Sequence, residues 1–109
     1  MKKPPVKKEY NYRDEEYIYF LEFKTKKERD LFHKENPPLI IQKTDGWAIE
    51  KTYLPYTYNS LTVHYFITYT INQDPDQVWN FGSPHTPKEA REIIRDNQFQ
   101  VDELILKKA

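Results

Sequence analysis

The sequence has 109 residues, with 17 basic and 17 acidic side chains, two glycines and no cysteine. That length fits one domain, since two halves would each be too small to hold a core. The composition excludes disulfide frameworks, zinc ribbons and thiol nucleophiles and nearly excludes glycine-built phosphate loops, and the balanced charge argues against a dedicated nucleic-acid binder.

Residues 1–12 read as a flexible basic tail, with Lys2, Lys3, Lys7 and Lys8, two prolines, and only Val6, Tyr10 and Tyr12 suited to burial. Residues 13–109 then read as a single α+β domain. Tyr17 to Phe23 has apolar residues on both alternating sets, as a central strand covered on both faces does. Thr25-Lys26-Lys27-Glu28 follows, a capping box in which hydroxyl and carboxylate each satisfy an orphan backbone N–H. The spacing predicts a helix from Lys26 to Glu35 that buries Leu31 and Phe32 and is stopped by Asn36-Pro37-Pro38.

Leu39–Lys43 and Trp47–Lys51 flank Thr44-Asp45-Gly46, which reads as a hairpin with Asp-Gly supplying positive φ. Leu61 to Ile71 is the clearest strand. Its odd positions are Leu, Val, Tyr, Ile, Tyr and Ile, and its even positions are Thr62, His64, Phe66, Thr68 and Thr70. Asn72 to Asp76 is a turn, and Val78 to Phe81 is expected to pair back.

A second capping box, Thr86-Pro87-Lys88-Glu89, opens a second short helix with Ala90, Ile93 and Ile94 on its buried stripe. Asp96-Asn97 is expected to end it. Phe99 to Leu106 reads as a last strand, with a C-terminal helix carrying Val101, Leu104 and Ile105 on one face as the competing reading.

The two caps lie 86 − 25 = 61 residues apart, and at that offset Lys27 meets Lys88, Glu28 meets Glu89 and Asn36 meets Asn97. Two strand–helix–strand units suggest an antiparallel sheet in the ferredoxin-like, split βαβ arrangement, with an extra hairpin. Val78 to Ile94, with Thr86, Lys88, Glu89, Ala90 and Arg91, resembles the strand-then-helix end of small DNA-binding sheets. These include the arm-binding domains of phage-type integrases and the double-stranded RNA-binding domain. The resemblance covers under a fifth of the chain. The RNA-binding pattern's second lysine and glycine-rich approach are absent, so the likeness is one of hairpin–helix construction.

His33, His64 and His85 have no metal-ligand spacing, and neither a metal nor another cofactor is expected. His33 reads as solvated, His85 as part of a turn, and His64 as a titratable group on the polar row of the strongest strand. Thr52 to Gln73 stands out. These 22 residues lack Asp, Glu, Lys and Arg in a chain that is 31% charged, and they include Tyr53, Tyr56, Tyr58, Tyr65 and Tyr69. Tyrosines with inward rings and hydroxyls at the rim would serve a core. The same composition serves recognition, with Tyr53, Tyr56, Tyr58, His64 and Phe66 as the contact residues.

The first functional expectation is a non-catalytic protein-binding module, of the kind common among phage and mobile-element accessory proteins or inhibitors, with a homodimer as one form of partner. The second is nucleic-acid binding, with Lys2, Lys3, Lys7 and Lys8 on phosphates and exposed aromatics stacking on bases. A small enzyme would require His64 beside a carboxylate in a pocket. No apolar run approaches a membrane span and the first residues lack a secretory apolar region, so a cytoplasmic location without membrane contact is expected.

Overall fold

Eleven residues of alternating character make the strand on which the molecule is built. The computed structural model describes residues 4–108, and the side chains of residues 4–103. Its elements are β1 (Val6–Asn11), β2 (Glu16–Glu22), α1 (Lys26–Glu35), β3 (Leu39–Thr44), β4 (Trp47–Pro55), β5 (Ser60–Thr70), a 3-10 turn (Ile71–Gln73), β6 (Val78–Asn80) and α2 (Pro87–Lys108). The sheet runs β1-β2-β5-β4-β3, all antiparallel, with β6 also on β5.

β5 holds three strands at once. β4 runs along one edge, from Trp47 opposite Tyr69 to Pro55 opposite Leu61. On the other edge β2 pairs at Phe20–Thr62 to Glu22–Ser60, and β6 at Thr68–Asn80 to Thr70–Val78. Between them the chain beyond β6 stays close. Ile67 accepts from Phe81 N–H at 2.9 Å, Ile67 N–H donates to Gly82 at 3.2 Å, and Tyr65 N–H donates to Pro84 at 2.9 Å. Residues 81–85 are thus a seam that fills the gap between β2 and β6.

Alternation along β5 sorts the sheet into two faces. Leu61, Val63, Tyr65, Ile67 and Tyr69 are buried, together with Trp47, Ile49 and Tyr53 beside them on β4. Both helices cover this face. The Phe32 ring on α1 meets Tyr53 edge-on at 5.2 Å, and Trp47 Nε1–H donates to Gln98 Oε1 on α2 at 2.9 Å. Apart from Thr62, which is buried, the other row (His64, Phe66, Thr68, Thr70) is half-buried, and no helix among the described residues packs on it.

Both helix starts show the hydroxyl half of the capping box, while the Glu89 carboxylate accepts from His85 N–H rather than from the Thr86 cap. Thr25 Oγ1 accepts from Glu28 N–H at 3.1 Å, and Thr86 Oγ1 from Glu89 N–H at 3.2 Å. Asp45 and Gly46 take φ of 49° and 89°, as the Asp-Gly hairpin turn requires. Of the residues assigned to the α1 core, Phe32 is buried, whereas Leu31 remains 45% exposed.

Three expectations are corrected. Val6–Asn11 is a strand and not part of a tail, laddered to β2 from Val6–Leu21 to Asn11–Glu16. Lys8 Nζ lies 4.7 Å from the centre of the Tyr17 ring, so its stem and charge belong to the sheet. Second, α2 does not stop at Asp96-Asn97. Asn97 Nδ2 donates back to Ile93 O at 2.7 Å within the helix, and Val101 is buried one turn further on, so Phe99 onward is helix, as the competing reading had it, and continuous with the start of α2. Third, the arrangement is not the ferredoxin-like one. A split βαβ unit joins parallel strands, but β2 and β3, which flank α1, run antiparallel with β5 and β4 between them, and no strand follows α2 among the described residues.

β3 is a free edge of the sheet. Its pairing with β4 slips by one residue between Ile40 and Gln42, a bulge at Ile41, and Leu39, Ile40 and Ile41 are all exposed.

Candidate functional site

The seam brings together two histidines that lie 21 positions apart (85 − 64). His64 belongs to the helix-free row of β5. His85 is the residue before the Thr86 cap, carried along β5 by the hydrogen bonds at Gly82 and Pro84. The imidazole centres are 4.4 Å apart, with the rings tilted by 48°. His85 Nε2 is 3.5 Å from Glu16 Oε1 at the start of β2, and the Tyr19 ring lies 6.3 Å from the His85 ring. The His85 side chain is only 10% exposed, against 53% for Glu16.

The electrostatics of this group are unusual. The Nδ1 atoms of both histidines are buried without a hydrogen-bond partner. Each such atom costs about 1–3 kcal/mol, so the pair is maintained by the packing around it. Burial, and then the neighbouring His85, hold the His64 imidazole below its ordinary titration range. A hydrogen bond to the Ser83 backbone and the more distant Glu16 carboxylate offset this in part. The arrangement disfavours charge on His64. Among the described residues, no group of three His, Cys, Asp or Glu side chains is placed to hold a metal ion.

The residues expected to form a recognition surface separate. Tyr53 is a core residue at 9% exposure, and Tyr65 and Tyr69 are buried beside it. Phe66 and His64 lie on the helix-free face, while Tyr56 and Tyr58 are exposed on the turn joining β4 to β5. That turn is tied down by Ser60 Oγ, which bonds the Thr57 backbone N–H at 3.1 Å and also the Thr57 hydroxyl. Tyr56 also packs on Phe20 at 5.6 Å, and it joins Tyr10, Tyr12, Ile18, Glu9 and Arg13 around a groove of about 350 Å³. Lys7 pairs with Glu22 at 3.1 Å, and Lys8 Nζ lies over the Tyr17 ring. Lys2 and Lys3 lie outside the described residues. His33 is exposed on α1.

The His64–His85 contact could not be read from sequence spacing. It depends on a detail of the seam: β6 pairs Thr68 with Asn80, but Ile67 bonds both the Phe81 N–H and the Gly82 carbonyl, and this extra residue brings position 85, rather than 84, opposite position 64. Comparison of the chain with protein-family models, with curated proteins and with solved structures gave no match. Among the described residues no helix is long and apolar enough to cross a membrane.

Proposed function

We propose that this chain is a non-catalytic recognition module that binds another protein through the helix-free face of its sheet. The observation that carries the reading is the one-sided placement of α1 and α2, which leaves the β5 row Thr62, His64, Phe66, Thr68 and Thr70 without a helix over it. That row has no charged side chain, as the central part of a protein interface requires. Ile18 and Phe20 continue the face onto β2, and the Tyr10–Tyr12–Tyr56 groove adjoins it, supplying aromatic contact area at low rotamer cost.

Affinity capture from host-cell extract tests this with three baits: the native chain, Phe66→Ser with Tyr56→Ser, and Phe99→Ser on the outer side of α2. The expected result is one protein held by the first and third baits and lost from the second. Light scattering on the unbound chain decides whether that protein is a second copy. Steeply salt-dependent binding of a labelled single-stranded oligonucleotide, with no protein captured, would replace this reading with nucleic-acid recognition. Turnover of any substrate abolished by His64→Ala would replace it with an enzyme.

A further inference from the structure

We propose that the His64–His85 contact is an acid-opened latch, releasing residues 81–85 and the first turn of α2 from the edge of β5 while the rest of the sheet stays folded. The contact sits on the seam itself, between the Pro84 and Gly82 carbonyls that tie it to Tyr65 and Ile67 and the Thr86 cap that starts α2. Two imidazolium rings 4.4 Å apart, with both Nδ1 atoms shut away from water, repel each other across a contact that solvent screens only in part.

The surrounding charges decide how much of that repulsion is offset. From β2, Glu16 faces His85 at 3.5 Å but is half exposed and so screened, and Tyr19 presents a ring. From α2, Glu89 Oε2 accepts the His85 backbone N–H at 3.4 Å. The partial positive charge of the α2 N-terminus adds to the repulsion that a cation at the seam meets. From β4, the residue across from His64 is Thr52, which is uncharged, with Glu50 diagonal to it beside Phe66. Glu16 is therefore the carboxylate nearest the rings, and it softens the latch without cancelling it.

The sign follows from His64 being harder to protonate when the seam is closed than when it is open. An unburied imidazole titrates near 6.5, and the closed form titrates below that. The open form then binds more protons, so seam stability is complete above pH 6.5 and is lost progressively as pH falls from 6.5 through the lower value of the closed form. The seam gives way before the sheet because β5 keeps its full ladder to β4 on the opposite edge.

Amide hydrogen exchange read by NMR has its own control here. The Tyr65 and Ile67 amides bond to the seam, whereas those of Phe66 and Thr68 point, by strand alternation, to β4. After correction for the intrinsic pH dependence of exchange, acidification from about pH 7.5 to about pH 5 should lower the protection of the first pair relative to the second by about threefold or more. His64→Phe should abolish the change. Glu16→Gln should enlarge it, because the carboxylate that favours the charged ring is gone, and this variant decides the matter if His64→Phe fails to fold. Equal pH responses of the two amide pairs, or a Glu16→Gln profile identical to the native one, would overturn the latch.

Discussion

The two faces of β5 are made by the same eleven residues and have opposite relations to the rest of the chain. On one, Leu61, Val63, Tyr65, Ile67 and Tyr69 meet two helices and carry the core. On the other, His64, Phe66, Thr68 and Thr70 meet no helix, though their backbones share the same ladder. The backbone is thus held rigid from one side, and the other side keeps a fixed, half-buried surface with no helix packed on it. Stability and recognition are separated by a single step along the strand.

Substitutions that differ by one position test this separation most sharply. Ile67→Ala, at a position with 0% exposure, should lose about 3–4 kcal/mol in urea unfolding, from lost transfer energy and the cavity left between sheet and helices. Gly46→Ala should cost about 2 kcal/mol, because φ there is strained for any side chain. Its added Cβ would also lie 2.7 Å from Tyr69 Cε2, carrying the damage to the covered face. Thr86→Ala should cost about 1 kcal/mol through loss of the α2 cap. Phe66→Thr, next to Ile67 but on the half-buried face, should cost about 1 kcal/mol or less, since only part of its ring is buried and both residues suit a strand. A loss at Phe66 comparable to that at Ile67 would break the comparison.

Local chemistry was readable wherever it acts within a few residues. The alternation of β5, the Asp45-Gly46 turn, and the Thr25 and Thr86 caps all place their elements where the structure has them. The end of α2 was not readable because it is decided at long range. Asp96-Asn97 looks like a stop, but Gln98 is held by Trp47, 51 positions away, and Val101 fills the core, so packing carries the helix past its polar pair. β1 was hidden for another reason. Its inward alternation is Val6, Lys8 and Tyr10, and a lysine counts as apolar only when an aromatic ring such as Tyr17 lies beneath it. The strand order was obscured by two similar caps, which record how helices begin and contain nothing about strand direction. At the site, His64 was legible as a titratable group, and its partner needed the register of β6.

The bulge at Ile41 has a consequence for how the chain survives at high concentration. Leu39-Ile40-Ile41 on an unpaired edge is the kind of segment on which a second molecule could continue the sheet indefinitely. The extra residue breaks the even row of donors and acceptors, and Lys43 follows two positions later to place a charge on the same edge. Deleting Ile41 would straighten that row, and thioflavin-positive fibrils at concentrations where the native chain stays dispersed are the expected result. The irregularity in β3 works against extension of the sheet at this edge.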